Sequence, residues 1–202
     1  MRVYGSFKRS MVPINVPNVL TVLRILAVPV LVVALLDGTP NGDLLAAIVF
    51  CVASLTDYVD GYIARSRNSV TTFGKLMDPI ADKLLIIAAL IALVSLDRVA
   101  AWVAMVIIAR EFAVTAMRMA AAQQGVIVPA GMLGKAKTVT QVAAIFALIA
   151  AGSDPPLGVN LLVYAAVAVT VASGVDYAFG IRKKVNDARD ERRALARRPA
   201  KS

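Results

Sequence analysis

From Asp57 to Asp82 the chain reads Asp57-x2-Asp60-Gly61-x2-Ala64-Arg65-x8-Gly74-x3-Asp78-x3-Asp82. Four carboxylates fall within these 26 residues, and apolar sequence long enough to cross a bilayer flanks them on both sides. A charged side chain at the centre of a membrane helix costs about 3 kcal/mol on insertion scales, and four acids together also repel one another. Such a cluster calls for cations to neutralise it, and its apolar flanks put that requirement at a membrane.

The spacing organises the acids. Asp57 and Asp60 are three residues apart near the end of a second predicted helix and share a face, with Ala64 one turn onward. Asp78 and Asp82 are four apart at the start of a third. If these helices are antiparallel neighbours joined by a short link over 66–73, all four acids converge at one end of a bundle. Carboxylate oxygens without a His or Cys partner favour Mg²⁺ or Mn²⁺ over zinc. Two divalent ions would cancel four negative charges and one would leave about two, so charge balance favours a two-metal site. Gly61 and Ala64 clear space for a ligand along the acidic face. Gly74 does the same where the third helix begins, or permits the turn, and Pro79 is tolerated near a helix start. Arg65 can pair with phosphate in a bidentate geometry. The bland alternative is a set of interhelical salt bridges to Arg65, Arg67, Lys75 or Lys83, but four acids in near-helical register make a poor core.

Composition agrees with a membrane chain. Of 202 residues, 59% are apolar, and the mean hydropathy of +0.74 is too high for a soluble domain of this size. No cleavable signal peptide is expected, because the first basic residues are followed by Pro13 and Pro17 and no small-residue cleavage site closes a short apolar core. Cys51 is the single cysteine, inside an apolar run, and reads as a small buried hydrophobe. Histidine is absent, which removes the commonest general base and the commonest zinc ligand.

Six stretches approach the 20 or so apolar residues a spanning helix needs: 18–36, 44–64, 76–96, 99–121, 136–152 and 158–181, the fifth of them short. Asp37–Gly42 and Asp154–Gly158 are strong turn signals. The expected fold is all-α: one membrane bundle of six transmembrane helices over 18–182, an interfacial N-terminal segment over 1–17 and a basic tail over 183–202. Basic residues favour the cytoplasmic side. They occur in the N-terminal segment (Arg2, Lys8, Arg9), the second connection (Arg65, Arg67, Lys75), the fourth (Arg118, Lys135, Lys137) and the tail, where nine basic residues face three acidic ones from Arg182 to Ser202. The first and fifth connections have none and the third has only Arg98. This alternation predicts both termini and the acidic cluster on the cytoplasmic side. The tail reads as a polar helix or frayed end drawn to anionic headgroups, not as a nucleic-acid-binding element. The opening segment, with Phe7, Met11 and Val12 near Lys8 and Arg9, suits an amphipathic helix at the interface.

The pattern from Asp57 to Asp82 resembles, at all eight positions, the signature of the CDP-alcohol phosphotransferases. The resemblance extends over roughly 14–180. Asn18-x2-Thr21-x2-Arg24, the run Phe73–Lys83, Ile108-Ala109-Arg110-Glu111-Phe112, Arg118 and Gly134-Lys135-Ala136-Lys137-Thr138 are similar to bacterial members that use glycerol 3-phosphate as acceptor. The resemblance implies six-helix membrane enzymes, usually homodimers, that move a phosphatidyl or similar group from a CDP-linked donor to an alcohol and release CMP. It implies that Asp57, Asp60 and Asp78 hold two metal ions, with Asp82 shared between metal contact and general base. It implies contacts to the CDP donor from Gly61, Arg65 and Thr71, and extends that role to Asn18, Thr21, Ala64 and Gly74.

The residues themselves bear on the reaction. Attack on a diphosphate needs positioning and charge stabilisation more than covalent help, and no residue suggests a covalent intermediate. Arg110 lies inside the fourth helix, where an unpaired cation is costly. Glu111 adjoins it but should point elsewhere on the helix, so neutralisation by that neighbour is not expected. Arg118 lies two turns on and about 80 degrees round, and Lys135 and Lys137 follow on the same side. Together, Arg110, Arg118, Lys135 and Lys137 are expected to bind an anionic acceptor, with the phosphate of sn-glycerol 3-phosphate preferred and inositol phosphate as the runner-up. The expected partners are CDP-diacylglycerol, sn-glycerol 3-phosphate, membrane lipid and a second copy of the chain in a homodimer, and no nucleic acid. The expected location is a bacterial cytoplasmic (inner) membrane. An ion-coupled transporter is the reading from another class, but transport acids lie near the bilayer midplane, often within internal repeats, whereas these cluster at one face. A non-catalytic scaffold would not need all four.

Overall fold

The computed structural model describes the backbone of residues 16–39, 41–67, 72–126 and 131–196, and the side chains of 19–39, 41–56, 83–126 and 131–187. Six α-helices account for nearly all of this: α1 (Val16–Leu36), α2 (Gly42–Arg67), α3 (Thr72–Ser95), α4 (Ala101–Gln123), α5 (Met132–Ala151) and α6 (Leu157–Ala196). No strand occurs among the described residues. Among the described residues, three helical segments are long and apolar enough to cross a membrane: Val19–Leu36, Met132–Ala151 and Leu157–Asp187. Shorter apolar stretches, Gly42–Thr56 and Lys83–Ser95, lie within α2 and α3 and carry one charged residue each, Asp43 and Lys83.

The helix boundaries follow local chemistry. Gly38 at φ 64 ends the turn after α1, and Asp43 supplies a carboxylate in the first turn of α2, where the helix dipole favours negative charge. Gly152 takes φ 70 at the end of α5, a conformation with no Cβ penalty for glycine, and its N–H bonds to Ile149 O. Both turn signals therefore fall between helices. Three boundaries differ from the hydropathy reading by four residues or more. α3 begins at Thr72 and α5 at Met132, each four residues earlier than expected, so the fifth helix is a full 20 residues. α6 runs unbroken through residue 183 to Ala196. In each case polar or charged residues extend a helix beyond its greasy portion, because helix propensity does not depend on hydropathy. The interfacial segment expected over 1–17 lies mostly outside the described residues, as does the link at 68–71.

The packing puts small residues inside and large ones outside. The core along α1, α2, α3 and α5 is rich in alanine (Ala34, Ala46, Ala53, Ala89, Ala92, Ala144), filled out by Phe50, Leu31, Leu90, Leu93, Ile145 and Leu148. Leu26, Val33, Leu44, Ile91, Met105 and Phe179 face outward, each more than half exposed. In water such a surface would drive association. In lipid it costs nothing, and small interior residues let helices approach closely, the main source of packing energy when hydrocarbon surrounds the protein. α1 packs on α2 and α3, α5 on α6 and α2, and α4 on α6 and α3.

Candidate active site

The described side chains enclose a cavity of about 770 Å³ to which every helix contributes. Arg24 comes from α1, Ser54 and Leu55 from α2, Lys83 and Ile86 from α3, Arg110, Glu111, Thr115 and Arg118 from α4, Lys137 and Gln141 from α5, and Ser173, Asp176 and Tyr177 from α6. The cavity lies towards one end of the bundle. At the other end Arg98 binds Asp43 through two parallel contacts, Nη1 to Oδ1 at 2.6 Å and Nη2 to Oδ2 at 3.0 Å. That bidentate pair ties the start of α2 to the connection between α3 and α4.

The cationic side of the cavity is built from α4, α5 and α6. Arg110 Nη2 donates to Ser173 Oγ at 2.7 Å, and Ser173 Oγ donates to Thr170 O at 3.1 Å. Gly174 makes room for this arginine, since a Cβ there would lie 3.2 Å from Arg110 Cγ. Arg118 Nε donates to Tyr177 Oη at 3.2 Å, and its guanidinium carbon lies 5.4 Å from the centre of the same ring, a cation–π arrangement. Gln141, fully enclosed, donates from Nε2 to Thr170 Oγ1 at 3.0 Å and so links α5 to the same segment of α6.

Glu111 corrects the sequence expectation. Adjacent helical positions diverge by about 100 degrees, yet the longer side chains close that gap. Arg110 Nη1 reaches Glu111 Oε1 at 3.4 Å, and Lys137 Nζ from α5 forms an ion pair with the same oxygen. Arg110 is thus partnered by its sequence neighbour.

Of the four residues assigned to an anionic acceptor, Arg110, Arg118 and Lys137 line this one cavity. Lys135 is exposed and lies outside its lining, because residues two apart on a helix point to different sides. Thr21 is buried on α1. The side chains of Asn18, Asp57, Asp60, Gly61, Ala64, Arg65, Gly74, Asp78 and Asp82 lie outside the described residues, as does Thr71 altogether. Their helices are nonetheless informative. The segments 57–67 of α2 and 72–82 of α3 continue directly from the cavity-lining residues Ser54, Leu55 and Lys83. Among the described residues no group of three or more acids or cysteines is gathered for a metal.

Residues 14–172 match the CDP-alcohol phosphatidyltransferase family. The chain belongs to that family. A Bacillus subtilis CDP-diacylglycerol–glycerol-3-phosphate 3-phosphatidyltransferase is 44% identical, over 81% of this chain and 93% of its own length. The Rickettsia bellii protein of the same name is 39% identical over the same shares. A probable phosphatidylglycerophosphate synthase of Mycobacterium tuberculosis is 41% identical, over 81% of this chain and 79% of its own length. Family membership and the apolar helices together make this a membrane protein.

Several cavity residues had no assigned role from sequence. Arg24 entered only as part of a first-helix segment and Lys83 only as a counter-charge and the end of the run Phe73–Lys83, while Ser173, Asp176 and Tyr177 were not singled out. Their signal lies in the sixth apolar run, which they interrupt: polar groups in a spanning helix face the protein interior or a cavity.

Proposed function

We propose that this family member transfers the phosphatidyl group of CDP-diacylglycerol to sn-glycerol 3-phosphate, giving phosphatidylglycerophosphate and CMP. The observation that carries this reading is the convergence of Arg110, Arg118 and Lys137, from two helices, on one cavity that adjoins the helical segments bearing the signature. The cavity lining carries five cations (Arg24, Lys83, Arg110, Arg118 and Lys137) against two carboxylates (Glu111 and Asp176), and that surplus of positive charge suits a phosphate monoester better than a neutral alcohol. The names of the relatives point the same way.

All six helices cross the membrane in this proposal. The shortest, α5, has 20 residues, close to the ~30 Å hydrocarbon thickness at 1.5 Å per residue. The alternation of basic residues sets both termini and the cavity on the cytoplasmic side of a bacterial inner membrane, with Arg98 and Asp43 at the far face. Assembly as a homodimer follows from the family resemblance. Lys135, being exposed, suits the approach of the acceptor more than its final seat.

Asp57, Asp60, Asp78 and Asp82 would hold the metal. An all-carboxylate donor set in a chain without histidine fits hard Mg²⁺ or Mn²⁺ ions, which when bound would offset the charge of the acids and of the donor diphosphate. The remaining work falls to side chains of the chain. Arg65, with Gly61, Ala64 and Gly74 leaving room and Asn18, Thr21 and Thr71 nearby in sequence to the cavity segments, takes the CDP portion. Arg110, Arg118 and Lys137 hold the acceptor phosphate, so that the acceptor hydroxyl meets the phosphorus next to diacylglycerol. Asp82 accepts the hydroxyl proton as the new P–O bond forms and the bond to CMP breaks. No covalent enzyme intermediate is needed.

The test is CMP release from CDP-diacylglycerol by membranes or purified protein, with glycerol 3-phosphate and inositol phosphate offered in competition. Glycerol 3-phosphate should support release, and Asp82→Ala should abolish it while the protein still inserts and folds. Product formed only from inositol phosphate would overturn the acceptor assignment, and normal release by Asp82→Ala would overturn the base.

A further inference from the structure

We propose that Glu111 is a positioning residue that sets the acceptor-phosphate site by holding Arg110 and Lys137 together. The proposal rests on the phosphatidyl-transfer reading above and names a specificity determinant within it.

Three observations converge on this carboxylate. One oxygen, Glu111 Oε1, receives both Arg110 Nη1 from its own helix and Lys137 Nζ from α5. All three side chains are largely enclosed: Arg110 and Glu111 are 14% exposed and Lys137 9%. Arg110 Nε is buried with no hydrogen-bond acceptor among the described residues, although the arginine lines the cavity. The Nε nitrogen faces Gly174 of α6, where a Cβ would lie 3.6 Å from it, so the donors left for a phosphate oxygen, the acceptor an arginine binds best, are the second N–H groups of Nη1 and Nη2. The guanidinium is therefore fixed at both Nη atoms, by Glu111 and by Ser173, and has donor capacity left for a ligand.

Electrostatics alone gives the opposite expectation. A carboxylate beside an anion site repels the anion, so its removal should tighten acceptor binding. Packing and desolvation argue otherwise. Arg110 and Lys137 repel each other, and two enclosed like charges stay close only while a counter-charge bridges them. Without Glu111 the lysine, on its flexible stem, is free to turn away, and one arm of the acceptor site is lost. The two views differ in sign.

Glu111→Gln separates them. The acceptor KM is expected to rise about tenfold or more, as when one partner of an enclosed charge pair is removed, while the CDP-diacylglycerol KM stays within about twofold. Because Glu111 acts through Lys137, the double variant Glu111→Gln/Lys137→Gln should show no larger rise than Lys137→Gln alone. Glu111→Asp keeps the charge but shortens its reach, and should give a smaller rise in the same direction. It also serves if Glu111→Gln does not fold. An acceptor KM that falls or stays constant, both KM values rising together, or additive effects in the double variant would each overturn the proposal. If the wild-type protein released no CMP with glycerol 3-phosphate, the reading of the reaction would fail instead, and wild-type turnover therefore precedes the comparison.

Discussion

Gly174 of α6 lies directly against Arg110 of α4: a Cβ at that position would sit 3.2 Å from Arg110 Cγ and 3.6 Å from its Nε. Sixty-three residues separate Arg110 from Ser173, the hydroxyl that fixes its far end. The glycine and the serine thus form a seat for one arginine, the first by leaving space and the second by accepting a hydrogen bond. A methyl group there forces Arg110 to move by a few tenths of an ångström, and a branched side chain displaces it. Gly174→Ala is expected to raise the glycerol 3-phosphate KM severalfold and Gly174→Val by about a hundredfold, roughly the 3 kcal/mol associated with a displaced charged hydrogen bond. Steady-state kinetics with the donor saturating would show this, and an unchanged KM in Gly174→Val would remove Arg110 from the acceptor site.

Tyr177 holds Arg118 in two ways, as a hydrogen-bond acceptor for Nε and as an aromatic face. The two contributions separate by substitution. Tyr177→Phe keeps the ring and loses the hydroxyl, costing about 1 kcal/mol, or some fivefold in acceptor KM. Tyr177→Leu loses both and should cost more. Equal effects of the two variants would show that the ring contributes nothing.

The ion pair between Arg98 and Asp43 lies at the opposite end of the bundle, with the guanidinium 11% and the carboxylate 35% exposed. Its role is to fasten helices. Arg98→Ala should lower unfolding stability in detergent by about 2 kcal/mol and leave the acceptor KM unchanged. A thermal unfolding series read beside kinetics on the same samples would separate these outcomes. A larger residue at Gly152 would be strained, since its φ is 70° and a Cβ would approach Asp43 Oδ2 to 3.2 Å.

Removal of divalent ions tests the four aspartates as a metal site. Chelation should abolish CMP release, and Mg²⁺ or Mn²⁺ should restore it, because oxygen ligands favour hard cations. Asp57→Asn, Asp60→Asn and Asp78→Asn should each raise the metal concentration needed for half-maximal activity. Full activity after exhaustive chelation would dismiss the metal altogether.

Much of this protein was written locally. Hydropathy and turn residues set six helices and the breaks at Asp37–Gly42 and Asp154–Gly158, because apolar run length and glycine or proline turns act within a few residues. The eight-position pattern from Asp57 to Asp82 carried the family, which the match over residues 14–172 shows. The charged helix ends escaped the hydropathy reading, since a helix continues past its apolar part wherever propensity and packing allow. The partners of Arg110 were the larger gap. Local geometry argued against Glu111, and nothing local joins Arg110 to Ser173, Arg118 to Tyr177, or Glu111 to Lys137. Those pairings arise because α4, α5 and α6 pack around one cavity, where enclosure raises the cost of leaving a polar group unpaired. Sequence alone determined the helices, the acidic signature and the class of chemistry. Only the tertiary structure decided which cations face one another, which stand apart, as Lys135 does, and which carboxylate holds them.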